Sequence, residues 1–233
     1  MIKIEHPVFP SPEQMDFIIE GMRNPKNSWD KSDSVGDCTH IDELTCNICR
    51  SNMDYKPNCV TNKFALGEND ESLMMRLAKA GTDHRKYLRM MQVGVRITAP
   101  LYFYKELDTY KVGTVCNSCS TMHKIQAKEF TLDDFSCEHL YFNPVLCNIE
   151  HTIRLLNEWR VLFNYTDEER KDYFGQNGHP RALTKKECWW QMIQLLPSSY
   201  NQTRKYTIRY ENLNNMYFAR RNHKLDEWRI FCQ

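Results

Sequence analysis

Glycine is scarce in this chain, with 8 in 233 residues, and none of them builds a G-x-G-x-x-G or G-x-x-x-x-G-K-[ST] run. Both motifs need glycine so that backbone N–H groups can close on phosphates, which argues against a Rossmann dinucleotide site and against a P-loop. Long apolar runs are missing as well. Mean hydropathy is −0.66, and no stretch approaches the roughly 20 apolar residues of a spanning helix. The opening MIKIEHPVFPSPEQ has no apolar centre of a secretory signal, so a cytoplasmic setting with no membrane attachment is expected. An excess of one charge is also absent, with 31 Lys and Arg against 30 Asp and Glu. Proteins built to coat duplex nucleic acid are strongly basic, and nucleic acid is not an expected partner here.

Cysteine, by contrast, is plentiful, at 10 residues. Without a secretion signal these read as reduced thiols or metal ligands rather than disulfides. Apolar residues at 41% and aromatics at 12% are enough to bury a substantial core. The chain reads as a single domain over residues 1–233. Within it, residues 24–69 form a polar insertion or small lobe, broken by Pro and Gly and holding Cys38, Cys46, Cys49 and Cys59.

The periodicity predicts an α-rich α+β fold with a small, mostly antiparallel sheet. Ser11 and Pro12 mark the cap and first position of a helix over 11–23. A helix over 71–80 stops at Gly81, and a short one follows from Asp83 to Met91. Val93, Val95 and Ile97 alternate like a half-buried strand over 92–98. Thr98 then caps a helix with Pro100 in its first turn, leading into a hydroxyl-rich loop at 113–121. Thr131 caps TLDDF, 148–163 has helical spacing, 165–183 reads as loop, and helices are expected at 185–196 and 206–231.

Several clusters offer chemistry. The loop at 113–121 presents backbone N–H groups and hydroxyls suited to a phosphate or polar cofactor. Cys46 and Cys49 form a C-x2-C knuckle that, with Cys38 and Cys59, can give thiolates to a structural zinc; free loop thiols are the other reading. Cys116 and Cys119 repeat the spacing, as a redox pair or as small residues in a crowded turn. Cys137-Glu138-His139 puts a thiol beside a base, although adjacent positions rarely face each other. In the last segment Arg220 offers a fork for a phosphate or carboxylate, against a plain solvated face.

Read together, these segments resemble the flavin-dependent thymidylate synthases of the ThyX type. In that family a helix of the form P-x5-Q-x2-R-H-R leads to a loop N-E-x-S-x-R-Y. Here Pro100 through Lys111 keeps the helix length, and Asn117-Ser118-Cys119-Ser120 matches N-E-x-S after one extra residue. Leu196-Pro197, Leu213-x-Asn215, Arg220 and Glu227-Trp228-Arg229 resemble the downstream pattern. The likeness covers roughly residues 71–125 and 190–231, and MRNPKNSWDKSD and NHKLDEWR have the look of phage-like members. The resemblance implies reductive methylation of dUMP to dTMP, with FAD as cofactor, NADPH and methylenetetrahydrofolate as co-substrates, and a homotetramer. It places Tyr110, Lys111, Asn117 and Asn215 at the flavin, and Ser118, Ser120 and Arg220 at the nucleotide.

The chain departs from the pattern at Thr109-Tyr110 (Arg-His in the family), Glu106 (glutamine), Ser118 (acidic), and Met122 and Ile193 (arginines). Three cations that would meet phosphates are thereby lost. Either Arg85, Lys86, Arg204 and Arg209 stand in, the ligand carries less charge, or catalysis is gone. In the last case the scaffold serves a non-catalytic nucleotide-binding, flavin-binding or interaction protein, with or without a zinc knuckle.

Overall fold

A computed structural model describes residues 1–35 and 64–233. In chain order the main elements are β1 (Lys3–Val8), α1 (Pro12–Arg23), α2 (Glu68–Lys79), α3 (Tyr87–Met90), β2 (Gln92–Pro100), α4 (Leu101–Leu107), β3 (Thr114–Ser118), α5 (Thr121–Lys124), α6 (Asn143–Asn164), α7 (Asp167–Gln176), α8 (Lys185–Leu195), β4 (Asn201–Arg209), α9 (Tyr210–Arg220) and α10 (Asp226–Phe231). The helix-rich α+β class expected from the sequence is what the chain adopts.

The four strands form one antiparallel sheet in the order β1-β2-β4-β3. Its spine is the β2–β4 pair, in continuous register from Gln92↔Arg209 to Pro100↔Asn201. Side chains directly opposite in such a pair share a face, and the pairs Val93↔Ile208 and Ala99↔Gln202 are buried on the same one. Phe103, Tyr104 and Leu107 of α4, Met216 of α9 and Trp228 of α10 cover that face. The Tyr104 hydroxyl lies 2.8 Å from both the Ile97 and Gln202 carbonyls, fixing α4 against the spine.

Further cores are built by the helices. Ile18, Ile19 and Met22 of α1 meet Leu73 and Met74 of α2 and Tyr87 and Leu88 of α3. Ile149, Ile153 and Leu156 of α6 meet Met192 of α8. The expected start of α1 is present in full: the Ser11 hydroxyl accepts from Gln14 N, the Gln14 side chain accepts from Ser11 N, and Pro12 holds the first turn.

Five boundaries differ from the periodicity. Thr98 is not a helix cap: β2 runs on to Pro100, because β4 pairs with it throughout, and Pro100 is the residue that precedes α4. The hydroxyl-rich stretch is not wholly loop, since Thr114–Ser118 pair with β4 from Thr114↔Ile208 to Ser118↔Arg204. Residues 206–209, expected to open a long helix over 206–231, belong instead to β4, and α9 starts only at Tyr210. Within 165–183 the polar run forms α7, capped reciprocally by Thr166 and Glu169. The short helix expected at 83–91 is confined to Tyr87–Met90.

Candidate functional site

The edge strand β3 and the turns at its two ends carry Lys111, Asn117, Ser118 and Ser120 along one edge of the sheet, with Asn117 and Ser118 on opposite faces. Gly113 opens the strand at φ +73°, and a Cβ there would lie 2.6 Å from Arg209 Cδ. Only glycine takes that backbone without strain and permits this approach. The Asn212 side chain donates to the Val112 carbonyl and lies 3.3 Å from Thr114 Oγ1, which ties α9 to the start of β3. At the other end Cys119 N donates to Thr203 O (2.9 Å), Gln202 Nε2 donates to Cys119 O (2.7 Å), and Ser120 caps α5 through His123 N (3.0 Å).

Asn117 and Ser118 stand exposed on β3, and Lys111 and Asn215 are exposed on the preceding turn and on α9. No side chain of these four makes a hydrogen bond or ion pair among the described residues. Beside Ser120 a cleft of about 320 Å³ is lined by Lys3, Ser120, Lys128, Asp133, Asp134 and Gln202, so cations and carboxylates share its wall. The Lys128 ammonium is bound to Asp134, which holds its pKa above the ordinary lysine value.

Tyr110 and Arg220, 110 residues apart, are in contact: Arg220 Nε donates to the Tyr110 hydroxyl at 3.1 Å. The same arginine donates through Nη1 to Glu106 Oε2 (2.8 Å). That oxygen also receives Trp228 Nε1 at 2.9 Å and has His223 Nε2 at 3.3 Å. The guanidinium carbon lies 5.0 Å from the centre of the Trp228 ring, a cation–π contact. Glu106 therefore acts as a hub for three donors from α9, α10 and the turn between them. In the sequence Glu106 stands out only as a departure from a glutamine, and nothing local reveals its partners.

A second charged cluster sits on β4. Arg204 Nη1 lies 2.9 Å from both oxygens of Asp108, Nε donates to Gln202 Oε1 (2.7 Å), and the guanidinium stacks 3.8 Å from the Tyr104 ring centre. Burial alone would weaken the Arg204 charge, but the bonds to Asp108 and Tyr206 outweigh it and raise its pKa. Burial also pushes the Tyr104 and Tyr206 hydroxyls well above the ordinary tyrosine value, so both stay protonated at neutral pH. Of the cations expected to stand in for the missing arginines, Arg204 is thus bound to Asp108, and Arg85 lies 3.1 Å from Glu211.

Among the described residues no thiol is activated as a nucleophile. Cys116 and Cys119 are exposed, and burial raises the pKa of Cys137, the opposite of what a reactive thiolate needs. His139 faces Tyr141 (2.9 Å) and Asp226 (3.3 Å). Cys38, Cys46, Cys49 and Cys59 lie outside the described residues. Among the described residues no three His, Cys, Asp or Glu side chains gather around a common point, and no helix is long and apolar enough to cross a membrane.

A four-stranded antiparallel sheet with helices packed against it, and polar residues collected at β3 and α9, defines a helix-rich α+β protein. Among solved structures the chain is similar to thymidylate synthase X from Helicobacter pylori with FAD and dUMP, at 14% identity and a TM-score of 0.56, covering 100% of this chain and 89% of that one. A second structure of the same enzyme complexed with FAD and dUMP matches at 13% identity and a TM-score of 0.55, covering 99% and 89%. At such identity the likeness shows the fold. No protein-family model matches the chain, and no curated protein matches it in sequence.

Proposed function

We propose that this protein binds FAD and a dUMP-like pyrimidine nucleotide and catalyses reductive methylation of the nucleotide, with methylenetetrahydrofolate as carbon donor and NADPH as reductant. The observation that supports this best is the state of the carried-over residues. Lys111, Asn117, Ser118 and Asn215 all present polar side chains that are exposed and uncommitted among the described residues.

That donor set fits a flavin with its phosphates. Lys111 supplies a cation, Tyr110 an aromatic surface beside it, and Asn117 and Asn215 neutral hydrogen-bonding groups. Bound there, the flavin would supply the hydride chemistry, while the chain orients and polarises. Ser118 and Ser120 would hold the nucleotide by hydroxyl and backbone contacts, and Arg220 would turn its fork toward the nucleotide's anionic groups. We further propose a homotetramer. An apolar groove of about 600 Å³, lined by Ile4, Phe9, Val95, Leu213, Tyr217 and Phe218, gives a neighbouring copy an area to cover.

Glu106 favours a second reading. A carboxylate already sits on Arg220, and Thr109 and Tyr110 are neutral where the family has cations, so the scaffold would bind nucleotide or flavin without turning over. Formation of dTMP from dUMP in the presence of FAD, NADPH and methylenetetrahydrofolate separates the two. Under the first reading product forms, and Arg220→Gln lowers kcat/KM by roughly 10- to 100-fold, the value of one charge-assisted contact. Binding of both ligands with no dTMP would establish the second reading instead.

A further inference from the structure

Distant in sequence from β3, the C-terminal end of α1, the turns that follow it and the body of α2 enclose a polar cleft of about 530 Å³, lined by Arg23, Lys26, Ser28, Lys31, Asn69, Leu73 and Arg76. Four of these seven are cations and none is a carboxylate. Arg23 is 3% exposed. Its Nε donates to Asp70 at 2.6 Å and its Nη1 to the Ser28 carbonyl at 3.1 Å. Its Nη2 is buried and has no hydrogen-bond partner among the described residues. Lys26, Lys31 and Arg76 make no ion pair among the described residues, and Arg76 has only a 3.4 Å contact to the Ser72 carbonyl.

Two features account for part of this arrangement. Arg23 and Arg76 lie in the last turns of α1 and α2, where cations complement the helix dipole, and surface lysines often line solvated faces. Neither explains why cations from three separate segments converge on one cleft. Nor does either explain a guanidinium donor that is buried without an acceptor, when buried donors are nearly always satisfied. An anion with several acceptor oxygens answers both points. A guanidinium fork beside flexible ammonium groups is a common way to hold phosphate, and Ser28 and Asn69 add neutral polar groups at the wall.

We propose that this cleft is a binding site for a small phosphorylated ligand carrying a di- or triphosphate group. It is separate from the nucleotide site suggested at β3 and Arg220, and it does not depend on that reading. With Arg23 already paired to Asp70, three cations, Lys26, Lys31 and Arg76, are left without a counter-ion among the described residues, and a pyrophosphate group matches them more closely than one phosphate.

The test is calorimetric titration of the full chain with inorganic pyrophosphate, comparing the wild type, Lys31→Gln/Arg76→Gln and Arg220→Gln, with circular dichroism to confirm that each is folded. Arg23 is left intact because its buried pair with Asp70 ties α1 to α2. The proposal expects saturable binding to the wild type, affinity lowered roughly tenfold or more in Lys31→Gln/Arg76→Gln, and no change in Arg220→Gln. No binding to the wild type, or full affinity in a folded Lys31→Gln/Arg76→Gln, would overturn it. Loss confined to Arg220→Gln would overturn it too, by placing the anion at β3 and α9.

Discussion

Glu106 sets the character of the candidate nucleotide site. Its Oε2 receives Arg220 and Trp228 at 2.8 and 2.9 Å, so an incoming anion has to compete with a carboxylate of the chain itself. Glutamine at this position keeps an acceptor for Trp228 and removes the charge. Glu106→Gln is therefore expected to tighten dUMP binding by about 1 kcal/mol, roughly fivefold, a modest figure because the pair is partly open to solvent. Unchanged or weaker dUMP binding in a titration would show that Glu106 does not compete. A second residue, Asp70, is fully buried. Burial alone would raise its pKa, but hydrogen bonds from Ser34, Ser32 and Arg23 outweigh this and hold the carboxyl below its ordinary value. A depressed folded pKa adds stability above the unfolded pKa and loses it as pH falls through the folded one. Asp70→Asn should cost about 3 kcal/mol near neutral pH, since Arg23 is left buried without its counter-ion. The difference from wild type should be constant above about pH 5 and shrink below it. A difference that grows on acidification, read from denaturant midpoints, would contradict this account.

Among the elements, β3 depends on the close approach of Gly113 to Arg209. Gly113→Ala adds a Cβ at φ +73°, 2.6 Å from Arg209 Cδ, and should destabilise the fold by about 1–2 kcal/mol; an unchanged Tm would show that the turn relaxes freely. Elements with local signals are legible in the sequence. Ser11, Pro12 and Gln14 announce α1, and Ile18, Ile19 and Met22 mark its buried face. β3 is hidden because its residues are small and polar, and they become strand only by pairing with β4, about 90 residues later. α7 is hidden for a different reason: it buries little beyond Arg170 and Phe174, so an apolar stripe is missing and its cap is the main clue. At the site, resemblance to a family assigns Tyr110 to the flavin and Arg220 to the nucleotide, and the two side chains are in contact. The hub at Glu106 stays illegible because it joins residues 114 positions apart that meet only once α4 and α9 cover the same sheet face.

For the whole molecule, a fold likeness covering 100% of the chain accompanies a sparse set of site residues, consistent with one scaffold serving more than one chemistry. The apolar groove beside β1, β2 and α9 leaves Phe218 63% exposed and Phe9 55% exposed. Association of copies would remove such surface from water, and light scattering of the purified protein should give the mass of four chains; a monomer at micromolar concentration would refute the proposed assembly. The central claim is that exposed polar side chains at Lys111, Asn117, Ser118 and Asn215 receive a flavin next to a nucleotide held by Arg220. The measurement that tests it most directly is titration with FAD, without and with saturating dUMP. FAD binding should saturate, tighten when dUMP is present and weaken in Lys111→Gln. A protein that binds no FAD under either condition, or whose FAD affinity is indifferent to both dUMP and Lys111, would contradict it.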